Sequence, residues 1–166
     1  MNPRKDNYDL LTKPLQLKYN RYYSSMINLG KSILFAQIYA EEMIDNEEND
    51  FASYCFAKAY TDFIEKGYSE EFSMQYAIKY QENMVDNYSN MIQVDSDPES
   101  IYFMDKAYGY AKGWEYANEN KHKDIIAFAK RYEKVYINMV YATNIRCEII
   151  DVDFDKQILD KISNSK

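Results

Sequence analysis

Residues 69–88 read SEEFSMQYAIKYQENMVDNY, and this stretch decides the fold. Ser69 stands where a helix N-cap belongs, and Glu70 and Glu71 follow in the first turn, where the helix dipole favours acids. Phe72, Tyr76, Tyr80, Met84 and Tyr88 then recur at four-residue steps. That spacing sets side chains one turn apart on one face, so the stretch is an amphipathic helix with an aromatic stripe. Within it lies a five-residue unit, aromatic-Ala-x-x-aromatic, at Tyr76 to Tyr80. The unit recurs at Phe35 to Tyr39, Phe56 to Tyr60, Tyr110 to Trp114 and Phe128 to Tyr132. An alanine beside the first ring leaves room for a neighbouring helix, so Ala36, Ala57, Ala77, Ala111 and Ala129 are expected at helix contacts.

Outward from this stretch, start and stop signals divide the chain. Pro14 suits a first helical turn, and apolar spacing carries a long first helix from about Pro14 to Asp45. Its weak point is Ser24–Ser32, where Gly30 and the serines lower helix propensity. Asn49 or Asp50 caps a second helix through Phe51, Cys55, Ala59 and Phe63, which stops at Gly67. The third helix starts after Ser69 and is expected to end near Val94. Asp97-Pro98-Glu99 starts the fourth, which runs to about Asn118. The fifth runs from Ile125 to about Ile150, and a short C-terminal helix carries Ile158 and Ile162 after an interruption at Asp151–Asp155.

The expected fold is therefore all-α, an irregular bundle or stack of antiparallel α-hairpins with about five main helices plus a short C-terminal one. Residues 1–13 read as a flexible basic N-terminal segment and residues 14–166 as a single helical domain. Lys58-Ala59-Tyr60 and Gly67-Tyr68 resemble tetratricopeptide repeats, but successive aromatic units are 21, 20, 34 and 18 residues apart, without the fixed period of such arrays.

Composition agrees. Four Gly and three Pro in 166 residues are too few for a turn-rich sheet protein. The apolar share leans on 18 Tyr and 8 Met, so rings should reach the surface with their hydroxyls seeking partners. No run approaches the roughly 18 apolar residues that span a bilayer, which argues for a cytoplasmic protein without membrane contact. Cys55 and Cys147 each sit in a helical pattern and read as buried, reduced thiols.

Charge is unevenly distributed. The net value is −7, yet residues 1–31 carry six basic residues against Asp6 and Asp9. Residues 32–105 carry sixteen acids against Lys58, Lys66 and Lys79, a local charge of −13. Such a block repels nucleic acid and attracts basic proteins.

Catalytic patterns are sparse. Gly30-Lys31-Ser32 matches the end of a phosphate-binding loop, but position 25 is Ser where the motif needs Gly. Glu119-x-x-His122 has di-iron spacing, yet His122 is the one histidine in the chain. Asp151, Asp153 and Asp155 open like a calcium loop, but Lys156 and Ile162 stand where Gly and Glu are required. Glu42-x-x-Asp45 beside Glu41, with Asp62-x-x-Glu65 on the next helix, is a pattern that could hold Mg²⁺. It resembles the all-helical nucleoside-triphosphate pyrophosphohydrolases, although that family usually shows Glu-x-x-Glu before Glu-x-x-Asp. The resemblance implies a Mg²⁺-dependent nucleotide hydrolase as the alternative function.

The leading expectation is a small acidic, non-catalytic protein-binding module that needs no cofactor. Its acidic face comprises Glu41, Glu42, Asp45, Glu47, Glu48 and Asp50, with Glu82, Asp86, Asp95, Asp97 and Glu99. Its partner is a protein with a basic surface, as nucleic-acid-handling proteins have, and a phage-type inhibitor mimicking nucleic acid is one version by analogy of charge and size. A homo-oligomer pairing the basic arm with the acid block is a third reading.

Overall fold

A computed structural model describes residues 8–46, 49–88, 99–143 and 152–164. Among these residues there are seven helices and no strand: α1 (Lys13–Asn28), α2 (Ile33–Asp45), α3 (Asp50–Glu65), α4 (Glu70–Asn87), α5 (Glu99–Glu119), α6 (Ile125–Thr143) and α7 (Val152–Asn164). The all-α expectation holds, and the helix count needs correcting. The single long helix expected over 14–45 is two helices, because the chain turns at Gly30 (φ +78°), where Lys31 N–H donates to Met26 O at 3.1 Å. That closure satisfies the last carbonyls of α1, and the Ser32 hydroxyl then caps α2 by accepting from Phe35 N–H at 3.2 Å. The C-terminal helix also starts earlier than expected, at Val152, inside the stretch read as an interruption.

The remaining caps match the sequence, but the third helix ends at Asn87, short of the expected Val94, because Tyr88 already has extended backbone (φ −134°, ψ 154°). Asn49 Oδ1 accepts from Ala52 N–H at 2.9 Å and Ser69 Oγ from Phe72 N–H at 3.1 Å. Gly67 (φ +88°) ends α3 by the same device as Gly30, with Tyr68 N–H donating to Phe63 O at 3.0 Å. The expected cap at Asp97 lies outside the described residues, as does Cys147. Cys55 is a buried free thiol.

Every substantial helix contact joins consecutive helices, α1 on α2, α2 on α3 and so on to α7. The architecture is thus a succession of helices packed mainly on their chain neighbours, with smaller contacts such as Phe63 to Tyr108 (ring centres 6.1 Å apart) joining α3 to α5. All five alanines of the aromatic units are fully buried. Rings mostly outside those units link the core from helix to helix. Phe63 on α3 lies 3.9 Å from Tyr76 on α4, Tyr108 on α5 lies 5.7 Å from Tyr136 on α6, and Tyr136 lies 6.0 Å from Phe154 on α7. Two tyrosine hydroxyls reach carboxylates on other helices: the buried Tyr132 donates to Asp155 at 2.7 Å, and the half-exposed Tyr141 donates to the buried Asp105 at 3.0 Å. Burial and the bond to Asp155 both push the Tyr132 hydroxyl above its ordinary range.

Because Ala77 has no exposed surface, Ala77→Leu is expected to overpack the α4 contacts and cost about 1–3 kcal/mol. Thermal unfolding followed by circular dichroism measures it. An unchanged midpoint would mean that the neighbouring helices yield freely at this position.

Candidate functional site

The acids of α2 sit on a groove. This open concavity of about 790 Å³ is walled by the segment before α1, the C-terminal half of α2 and the first turns of α4, with Tyr19 and Tyr60 contributed by α1 and α3. Tyr8 holds the first wall in place: its ring meets Tyr19 edge-on at 5.1 Å, its carbonyl accepts from Gln16 Nε2 at 3.3 Å, and its hydroxyl accepts from Asn20 Nδ2 at 3.1 Å. Leu10 and Leu11 follow it into the lining, where Ile44 and Met74 add further apolar surface.

Five carboxylates share this lining: Glu41, Glu42 and Asp45 from α2, and Glu70 and Glu71 from α4. Their local settings differ. Glu70 and Glu71 occupy the first turn of α4, where free N–H groups and the positive dipole end stabilise them. Glu41, Glu42 and Asp45 occupy the end of α2, where the dipole is negative and no basic residue stands in the last turn. Acids there oppose their own helix, each by about 0.3–1 kcal/mol at the surface. The groove therefore brings carboxylates from the end of one helix and the start of another into one lining. At the groove's edge Glu71 accepts from Asn118 Nδ2 at 3.3 Å, and its charge is felt by Glu115 on α5. Burial pushes the Glu115 carboxyl up; Lys112 opposes this, while Glu119 and Glu71 add to it.

Of the acids expected to form the face, Glu41, Glu42 and Asp45 come together here. Asp50 is exposed in the first turn of α3 and outside the groove lining, although its charge is felt by the buried Tyr39 hydroxyl. Glu82 and Asp86 are exposed further along α4, also outside the lining, and Glu82 pairs with Lys79 at 3.7 Å. Glu47, Glu48, Asp95 and Asp97 lie outside the described residues, as does the side chain of Glu99. The sequence marks Glu70 and Glu71 only as first-turn acids, and nothing in it links them to α2, because the groove arises from the packing of α2, α3 and α4.

The other motifs acquire structural explanations. Lys31 Nζ donates to the Tyr54 hydroxyl at 2.8 Å and lies over the Phe35 and Tyr54 rings, so Gly30-Lys31-Ser32 is a helix junction. His122 is exposed, with its ring 4.4 Å from Phe128. Asp155 faces Lys112 at 3.5 Å. Asp62 pairs with Lys66 at 3.0 Å on the surface of α3, and neither it nor Glu65 lines the groove. Among the described residues no group of three or more His, Cys, Asp or Glu is spaced to hold a metal ion, and no helix is long and apolar enough to cross a membrane.

A separate carboxylate, Glu133 on α6, is 8% exposed, with Lys106 Nζ at 3.8 Å. Burial pushes its carboxyl above the usual value; Lys79 and Lys106 pull it down but do not offset the desolvation, and Glu82 pushes it further up. A raised carboxyl contributes stability in its neutral form, fully below the unfolded pKa, and that contribution is lost as pH rises through the folded pKa. Glu133→Gln is therefore expected to raise the melting temperature near neutral pH, with the gain vanishing in acid below the unfolded glutamate pKa of about 4.3. Parallel melts of both proteins across pH test this, and a lower melting temperature at neutral pH would show that the ionised form is the stabilising one.

No protein-family model, curated protein or solved structure matches the chain.

Proposed function

We propose that this protein is a non-catalytic binding module whose acidic groove takes up a basic, amphipathic segment of a protein partner. The observation that carries the reading is the pairing of five carboxylates with Leu10, Leu11, Ile44 and Met74 in one concavity of about 790 Å³. Lysine and arginine side chains fit such a surface twice over, laying their aliphatic stems on apolar residues and their charged heads against carboxylates. The volume lies within the range of about 300–1,000 Å³ that ligand sites occupy. A cation docked here also relieves the repulsion between Glu41, Glu42, Asp45 and the end of their own helix. Basic segments of this kind belong to proteins that handle nucleic acids, and by analogy of charge and size the molecule acts as a nucleic-acid mimic, in the manner of a phage-type inhibitor.

The experiment is a fluorescence-anisotropy titration with two labelled peptides of equal length, one alternating Lys with Leu and the other alternating Glu with Leu. The first is expected to bind saturably, and less tightly at high salt, because exposed charges are screened beyond a Debye length of about 8 Å at physiological ionic strength. Equal binding of the two peptides would overturn the reading.

A further inference from the structure

Away from the acid groove, a smaller cleft of about 290 Å³ opens between α5 and α6, and its charge is reversed. Lys106 enters it from α5, and Lys130 and Lys134 enter from α6. Lys130 and Lys134 are one turn apart, a like-charge spacing that disfavours a helix, and Lys106 adds a third ammonium group from the facing helix. The one carboxylate in the lining is the buried Glu133, whose distance of 3.8 Å to Lys106 exceeds a direct hydrogen bond. Three cations thus share one carboxylate in a protein whose net charge is −7. Lys106 is also oriented by an aromatic neighbour, its Nζ lying 5.6 Å from the centre of the exposed Tyr102 ring at the cleft edge.

We infer that this cleft is a binding site for a small phosphate-bearing anion, held by the ammonium groups of Lys106, Lys130 and Lys134, with the Tyr102 ring beside its organic part. Lysine serves phosphate as a compact point charge, and three such charges suit one dianionic group in the presence of Glu133. The volume sits at the lower end for ligand sites, which suits a phosphate monoester of modest size and excludes a polynucleotide. The −13 block along residues 32–105 opposes a polyanion further.

Glu133 gives the site a signature that scattered surface lysines lack. The charged or titratable groups acting on it are Lys79 and Glu82 from α4, Lys106 from α5 and Lys130 from its own helix, with Tyr110 of α5 also within its field. A bound phosphate adds negative charge beside a carboxyl that burial already disfavours as an anion. Binding therefore draws a proton onto Glu133, and affinity rises as pH falls through its titration.

Phenyl phosphate and inorganic phosphate, titrated calorimetrically in two buffers of different ionisation enthalpy, test the site. The unaltered protein is expected to bind phenyl phosphate one to one, more tightly than inorganic phosphate, because only the ester meets Tyr102. Proton uptake should exceed that of Glu133→Gln, in which only the ligand itself titrates, and Glu133→Gln should bind more tightly near neutral pH. Lys130→Gln with Lys134→Gln, both at exposed positions, should weaken binding by roughly ten-fold or more, while Lys156→Gln on α7 should change nothing. Equal affinity in the double variant and the Lys156 variant, or equal proton uptake with and without Glu133, overturns the assignment.

Discussion

Gly113→Ala is expected to destabilise the protein, although alanine is the better helix former by about 0.8–1.0 kcal/mol. A Cβ at position 113 would stand 2.5 Å from Tyr132 Cβ and 3.0 Å from Ala129 Cα, so α5 and α6 would have to move apart. At Gly109 the nearest atom is Tyr136 Cδ1 at 2.7 Å, part of a ring with no exposed surface. Overpacking of this kind costs about 1–3 kcal/mol net, and position 113 should lose more than 109, because its clash is with atoms at or next to the backbone. Because the substantial helix contacts join consecutive helices, the loss falls mainly on the α5–α6 contact that ties α6 and α7 to the rest. Each kcal/mol lowers the melting temperature of a domain this size by about 2–4 °C, and the leucine variant should lose cooperative unfolding altogether. A Gly113→Ala protein that melts at or above the original temperature would show that the helix gain outweighs the contact.

The second large effect concerns the groove. If its carboxylates act as a field, removing one charge at Glu42 or Glu70 should weaken the Lys/Leu peptide by roughly two- to five-fold, the range of single exposed ion pairs. Reversing four together, Glu41→Lys, Glu42→Lys, Glu70→Lys and Glu71→Lys, should eliminate binding. The graded response separates this reading from a Mg²⁺ site, where one lost ligand destroys the geometry and the activity together. Circular dichroism on the fourfold variant guards against loss of fold. Replacing Glu41 and Glu42 should, if anything, strengthen α2, since their charges oppose its dipole.

Much of the fold was legible because local chemistry and tertiary packing agree in it. Four-residue ring spacing with a neighbouring alanine is satisfied by a helix packed on a helix, and the complete burial of Ala36, Ala57, Ala77, Ala111 and Ala129 follows from that geometry. Gly109 and Gly113 were not legible. Inside a helical pattern a glycine registers as lost propensity, and its use as a contact surface depends on which ring of a later helix arrives there. The division of the first long helix was visible as weak propensity around Gly30, but the turn itself depends on the left-handed backbone that Gly30 adopts.

The candidate site was half legible for a similar reason. The cluster at Glu41, Glu42 and Asp45 stands out as a Glu-x-x-Asp couple with a third acid beside it. Glu70 and Glu71 are ordinary first-turn acids at the start of α4, so nothing marks them until packing carries them to the same groove. The cleft at Lys106, Lys130 and Lys134 was hidden, since lysines on two different helices give no sign in the sequence of which of them converge.

Photo-crosslinking tests the central claim most directly. Benzoylphenylalanine placed at Ile44, inside the groove, should capture the Lys/Leu peptide at low salt, and much less at high salt or in the fourfold variant. The same probe at Gln157, exposed on α7, should capture little under any of these conditions. Equal capture at the two positions, or capture at Ile44 that survives reversal of the four glutamates, would contradict the account.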